Sequence, residues 1–147
     1  MEPRMNPYEA NQEAYQAMFQ LESYVRNSGL DYKLYELIKT RASQINGCAF
    51  CLDMHTHDAR KAGETEQRLY LLNAWREAPC YTPEERAVLA LTEAVTLISE
   101  AGVPNDVYEE VRTYFDEKQF IDLLMAINTI NCWNRLAITI RMVPPTR

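Results

Sequence analysis

The spacing of apolar residues is the feature that most restricts the fold of this chain. Apolar side chains recur every three or four residues along the sequence, and the alternation expected of a half-buried strand persists nowhere. In the first such stretch, one face of a helix would carry Ala14, Met18, Leu21 and Val25. Only four glycines occur. We therefore predict an all-α fold, a bundle of about six to seven helices.

Local start and stop signals place the predicted helices. In Thr82-Pro83-Glu84-Glu85, the threonine can cap a helix, proline suits the first helical position, and Glu85 completes a capping box. Asn46 and Gly47 end another helix, and the next begins near Cys48. The predicted helices cover approximately residues 7–27, 31–45, 48–63, 66–74, 82–100, 105–115 and 117–142.

Length and composition exclude several classes of protein. A chain of 147 residues, 47% apolar and 24% charged, is typical of one globular domain, so we expect a single domain over residues 1–147. A net charge of −6 without a basic cluster argues against binding to nucleic acid or to anionic membranes. We see neither a secretory signal nor a long apolar run, and therefore expect a cytoplasmic protein without a membrane span.

A pair of cysteines at a helix start carries most of the chemical information. Cys48 and Cys51 are three residues apart and His55 follows one turn later, so all three share the inward face of the predicted helix. This spacing lets two sulfurs approach within bonding range, and a helix start favours thiolate over thiol. His55 can exchange a proton with the nearer sulfur. The pattern predicts a redox site that needs neither a metal nor a bound cofactor.

Two other interpretations of the cysteines are open. Either cysteine could fill the core as a small apolar residue, although two at this spacing favour redox use. The pair could also bind zinc with His55 and His57, but a helix directs His57 to the opposite face, where we expect it to be exposed. Cys80 in a connector and Cys132 in the last helix have no partner in sequence, and we expect both to be structural free thiols.

The surroundings of this pair resemble a known family. Glu36, Cys48, Cys51 and His55 match the pattern of a Glu, eleven residues, Cys-x-x-Cys, three residues and a His. This pattern is found in the AhpD-like alkylhydroperoxidase branch of the carboxymuconolactone decarboxylase superfamily. The resemblance extends over about residues 32 to 141 and includes Asp53-Met54-His55, Ala74-Trp75-Arg76-Glu77, Thr92-Glu93-Ala94 and Trp133-Asn134-Arg135.

The resemblance implies an activity and partners. The fold would be an AhpD-like helical bundle, assembled as a homo-oligomer, a trimer or hexamer. The activity would be a thiol peroxidase of antioxidant defence, acting on a small hydroperoxide and restored by a dithiol or protein reductant. Cys51 would form the sulfenic acid, Cys48 would complete a disulfide, and Glu36 and His55 would relay protons. Position alone favours Cys48 as the nucleophile, because it is nearer the helix start.

At two positions, the comparison with the family pattern leads to an expectation that the residues alone do not give. Glu36 lies opposite the apolar stripe of its helix, beside Thr40 and Ser43, so composition predicts a solvated carboxylate. The family spacing requires instead that another part of the chain, or another subunit, covers it. AhpD carries a second histidine between its cysteines, where this chain has Phe50. The proton relay is therefore expected to be shorter.

Two further functions compete with a peroxidase. The branch that names the superfamily decarboxylates a lactone and does not depend on a cysteine pair. A non-enzymatic, redox-sensitive oligomeric binding protein is the other possibility, with Trp133 and the asparagines of the last helix at an interface.

Overall fold

The computed structural model describes residues 2–146 and contains nine α-helices, one 3₁₀ turn and no strand within that range. The predicted all-α fold is confirmed. The helices are α1 Pro7–Ala10, α2 Gln12–Arg26, α3 Tyr32–Asn46, α4 Ala49–Lys61, α5 Glu66–Tyr70, α6 Pro83–Thr96, α7 Ile98–Ala101, α8 Asn105–Tyr114 and α9 Glu117–Ile140, with the 3₁₀ turn at Leu72–Ala74.

Helix α3 is the centre of the molecule. It packs against α4, α6 and α9, and every residue from 34 to 40 is buried, including Glu36 and Lys39. The largest apolar cluster surrounds it and includes Val25, Leu34, Ile38, Leu91 and Ile127. The sequence predicts a single apolar stripe on this helix, yet three neighbours cover all of its faces.

Three predicted helices are interrupted. The helix expected over residues 7–27 breaks at Asn11, whose backbone is extended and whose side chain accepts a hydrogen bond from the Ala14 amide. A short polar side chain that bonds nearby amides in this way favours a helix start over a helix interior. The helix expected over 82–100 breaks at Leu97, and the one over 66–74 continues beyond α5 only as a 3₁₀ turn. The predicted number of helices was therefore too low.

The start of α6 is as predicted, with Thr82 and Glu85 forming a reciprocal capping box. Asp116 and Gln119 form a second capping box that begins α9, a helix of 24 residues. Between residues 2 and 146, no helix combines the length and apolar character needed to span a bilayer.

Candidate active site

The turn between α3 and α4 positions both thiols. Gly47 ends α3 in the left-handed region, with φ of 70°, where glycine is favoured because it has no Cβ. Its neighbour Cys48 immediately becomes the N-cap of α4, and the Cys48 amide donates to the Ser43 carbonyl at 3.0 Å. One residue in the left-handed conformation therefore turns the chain so that α4 packs back along α3.

The two cysteines of the motif are in direct contact. The Sγ atoms of Cys48 and Cys51 are 2.7 Å apart, both residues are buried, and both are free thiols. The Cys48 sulfur also accepts the amide N–H of Cys51 at 3.4 Å, which takes the place of an oxygen cap at this helix start. The spacing of three residues has brought the sulfurs together as the sequence predicts.

The two thiols differ in acidity. The hydrogen bond from the Cys51 thiol, helped by the Cys51 amide and the Asn134 side chain, lowers the pKa of Cys48 to about 7 despite burial. The same contact with Cys48, together with burial, raises the pKa of Cys51. Near neutral pH the pair therefore keeps one proton, with the negative charge on Cys48, the cysteine nearer the helix start.

His55 and Glu36 form a buried pair beside the thiols. The Nδ1 atom of His55 lies 2.9 Å from Oε2 of Glu36, and the residues are 3% and 0% exposed. The other carboxylate oxygen, Oε1, has no hydrogen-bond partner among the described residues. Burial and the charge of Glu36 raise the pKa of Tyr32, one turn earlier on α3, to about 12. Because Glu36 occupies Nδ1, the Nε2 atom of His55 is the nitrogen left to exchange protons.

A cavity of about 190 Å³ opens onto this group. Cys51 and His55 lie on its wall, whereas Cys48 is not among the described residues that line it. Most of the remaining lining is aromatic or apolar, from Tyr15, Phe19, Phe50, Met54, Trp133, Ala137 and Met142. Cys51 is therefore the thiol that a molecule in the cavity would meet.

The cavity wall also contains an ion pair that the sequence did not reveal. Lys39, on α3, and Glu22, on α2, both line the cavity, and the Lys39 ammonium lies 2.5 and 2.6 Å from the two carboxylate oxygens of Glu22. The indole N–H of Trp133 donates to the same carboxylate at 3.1 Å. A usable signal was present, because Lys39 follows Glu36 by three residues and so shares its helical face.

The structure decides between the two expectations for Glu36. It is fully buried, as the family spacing requires, and the surface position predicted from composition is wrong. The cause is α4, which lies against α3 and places His55 on this carboxylate.

The remaining sequence predictions have mixed outcomes. His57 is half-buried, so its predicted full exposure is wrong, because α4 contacts both α3 and α9. Cys80 is half-buried in the connector before α6, Cys132 is exposed on α9, and both are free thiols. No group of three or more His, Cys, Asp or Glu residues between positions 2 and 146 is arranged to hold a metal ion.

A comparison with protein families identifies the relatives of this site. The model of the carboxymuconolactone decarboxylase family matches residues 12–94, a segment that contains Glu36, both motif cysteines and His55. The chain belongs to this family.

Individual proteins resemble this chain over different lengths. The uncharacterized protein YdfG of Bacillus subtilis is 51% identical over 138 residues, 94% of each chain. The alkyl hydroperoxide reductase AhpD of Streptomyces coelicolor is 42% identical over 69 residues, which cover 45% of this chain and 39% of that protein. A protein of unknown function from Agrobacterium tumefaciens, suggested to be an antioxidant defence protein AhpD, has a crystal structure that superposes with a TM-score of 0.97. It is 44% identical and covers 99% of this chain and 100% of its own.

Proposed function

We propose that this protein is a thiol-dependent peroxidase that reduces small organic hydroperoxides through a dithiol–disulfide cycle of Cys48 and Cys51. One observation carries the proposal: two free thiols lie in contact, and one of them shares the wall of an apolar cavity with a histidine–carboxylate pair. The resemblance of the site to AhpD, an alkyl hydroperoxide reductase, supports the same activity.

The first chemical step begins with a proton transfer. The Cys51 proton moves to the Cys48 thiolate across the 2.7 Å contact, which leaves the thiolate on the sulfur that faces the cavity. The Cys51 sulfur attacks the terminal oxygen of the hydroperoxide, and the O–O bond breaks. Cys51 becomes a sulfenic acid, and the departing alkoxide takes a proton from the His55–Glu36 pair to leave as the alcohol.

The second step forms the disulfide. His55 accepts the Cys48 proton, and the Cys48 thiolate attacks the Cys51 sulfenic sulfur. The hydroxide that leaves takes up that proton as water, so one hydroperoxide, one proton and the singly deprotonated Cys48–Cys51 dithiol yield one alcohol, one water and one disulfide. An external dithiol then reduces the disulfide and is itself oxidised. We propose such a dithiol or a protein bearing one as the reductant, and the cytoplasm as the compartment.

The cavity supports a preference among hydroperoxides. Its volume of about 190 Å³ and its aromatic lining suit a small molecule with an apolar group. We expect cumene hydroperoxide to react faster than hydrogen peroxide, because the latter offers no apolar surface for these side chains to cover.

Counting thiols tests the proposal. The reduced protein has four free cysteines per chain. One equivalent of cumene hydroperoxide should remove two of them, and peptide mapping should find a bond between Cys48 and Cys51. Cys132→Ser, at an exposed position, should still lose two thiols, while Cys51→Ser should form no such bond. Hydroperoxide turnover by Cys51→Ser at the wild-type rate would refute the mechanism.

The family match favours a second candidate, decarboxylation of a lactone such as carboxymuconolactone. The His55–Glu36 pair could supply acid–base chemistry to such a reaction without the thiols. Consumption of the lactone that survives full alkylation of the cysteines would support this candidate in place of the peroxidase.

A further inference from the structure

Lys39 is an unusual residue for the centre of a helical core. It is 1% exposed and lies on the middle helix α3, one turn after Glu36. Lysine is seldom fully buried, because removing an ammonium group from water is unfavourable unless it is paired. This lysine lines the cavity that Cys51 and His55 also line.

The ammonium group is held in one place. Both carboxylate oxygens of Glu22 contact it, and Glu22 is in turn fixed by the Tyr35 hydroxyl and the Trp133 indole. The ring of Tyr35 also faces the ammonium, 4.3 Å from its centroid. Three helices, α2, α3 and α9, thus cooperate to fix one positive charge on the cavity wall.

Stability does not account for this arrangement. A buried ion pair can usually be replaced by well-packed apolar residues without loss of stability, since desolvation offsets the attraction of the charges. The pair is instead well placed to act on the Cys51 thiolate, because a mostly aromatic and apolar wall screens a nearby charge less than bulk water does.

We propose that Lys39 is a positioning residue of this site whose ammonium group, fixed by Glu22, stabilises the thiolate of Cys51. The inference rests on the proposed function, in which that thiolate attacks the hydroperoxide. In the resting cysteine pair the negative charge lies on Cys48, although Cys51 is the thiol that faces the cavity. A positive charge on the cavity wall would favour the thiolate on Cys51.

Other ionisable groups also face the cavity, and their charges contribute to the pKa of Cys51. Contact with Cys48 and burial raise the pKa of Cys51, while the Lys39 charge acts in the opposite direction. Besides Cys51, the ionisable residues of the cavity wall on α2 and α4 are Tyr15, Glu22, Arg26, His55 and Asp58, and α3 adds Glu36 behind His55. The described lining from α9, which includes Trp133, contains no ionisable side chain. Among the cations, Arg26 is exposed and Lys39 is buried.

The test isolates Cys51 and then changes Lys39. In a Cys48→Ser background Cys51 is the one remaining thiol of the motif, and its iodoacetamide labelling can be followed against pH by peptide mapping. Lys39→Met removes the charge but keeps a long apolar chain. Lys39→Arg keeps the charge, and its larger head group can extend into the cavity. Lys118→Met, which removes an exposed lysine of α9, is the matched control.

We expect Lys39→Met to raise the labelling midpoint of Cys51 by about one pH unit and to slow labelling at pH 7 roughly tenfold. Lys39→Arg should stay within about twofold of the parent at pH 7, and Lys118→Met should match the parent. Circular dichroism checks that each variant is folded. If Lys39→Met does not fold, Lys39→Gln removes the charge but can still donate a hydrogen bond to Glu22, and it should show the same upward shift.

A folded Lys39→Met or Lys39→Gln variant with the parental labelling profile would overturn the inference. Labelling uses no peroxide, so the result is independent of the proposed activity. A shifted midpoint in a protein that turns over no hydroperoxide would support the role of Lys39 and refute the peroxidase. The parental labelling midpoint in a protein that does turn over hydroperoxide would refute the role of Lys39 and support the peroxidase.

Discussion

The side chains of Glu36 and His55 act as a unit because neither is solvated. Their contact of 2.9 Å fixes the imidazole by its Nδ1 atom, and Oε1 of Glu36 has no hydrogen-bond partner among the described residues. The sequence predicted both residues, His55 from its helical position and Glu36 only from the family spacing. Lys39 shares the helical face of Glu36 and could have been considered on that ground, but its pairing with Glu22 could not be predicted, because it joins helices that are separated along the chain.

Replacement of Glu36 tests this unit. Glu36→Gln keeps the shape of the side chain but removes its charge, so His55 loses its proton-sharing partner. We expect hydroperoxide turnover to fall roughly 10²-fold while the fold is retained. Steady-state kinetics with cumene hydroperoxide and a dithiol measure the effect. Glu66→Gln, an exposed glutamate on α5, is the control and should remain fully active. Turnover within twofold of wild type for Glu36→Gln would contradict the proposed relay.

The acidity of Cys48 gives a second prediction at this scale. Its pKa is lowered to about 7, so the thiolate is present above that pH and is lost as the pH falls through it. In the reduced wild type, iodoacetamide labelling of Cys48 should therefore be half-maximal near pH 7. Mass spectrometry of the peptide that contains both cysteines measures it. In Cys51→Ala, which lacks a side-chain donor at this position, the midpoint should rise. A Cys48 midpoint near 9, the ordinary value for a thiol, would contradict the described hydrogen bonding.

At the scale of helices, local sequence signals were sufficient to predict where α4 and α6 start, but not which residues of a helix are buried. The Asn46-Gly47 break and the Thr82 capping box depend on adjacent residues, and both appear where the sequence places them. The break at Asn11 was not predicted, because an asparagine among helix-forming residues is compatible with the interior of a helix as well as with its start. The burial of residues 34–40 of α3 depends on three partner helices, which no single helical pattern encodes.

The turn before Cys48 offers a prediction for this scale. Gly47 has φ of +70° and open space around the position of a Cβ, so Gly47→Ala adds only backbone strain. We expect a loss of about 1–2 kcal/mol in the free energy of unfolding. Gly29→Ala is a matched control, with φ of +92° and open space after α2. Both should be destabilised in chemical denaturation, but only Gly47→Ala should also alter the labelling rates of the cysteines. Equal labelling in the two variants would show that this turn does not set the thiol geometry.

For the whole molecule, several large apolar side chains are left on the surface, among them Tyr70, Ile98, Ile121 and Ile138. Such side chains are common at interfaces between identical subunits. The homo-oligomer implied by the family resemblance stays a prediction, because the single chain does not test it.

Light scattering coupled to size exclusion measures the assembly. We expect a mass three or six times that of the 17.1 kDa chain. Ile138→Lys, at an exposed position on α9, should weaken an assembly that uses this surface, whereas Lys33→Glu before the core of α3 should not. A monomeric wild-type protein at micromolar concentration would contradict the expectation.

The position of α3 has a consequence for how this protein would fail on heating. The helix that carries Glu36 and Lys39 has neighbours on all sides, so its amide hydrogens should exchange with solvent only when the entire bundle opens. Part of the site therefore cannot melt separately from the scaffold. Loss of catalytic competence and loss of helical signal should coincide in a single transition, and a partly warmed sample should contain fully competent and fully unfolded molecules with nothing between them.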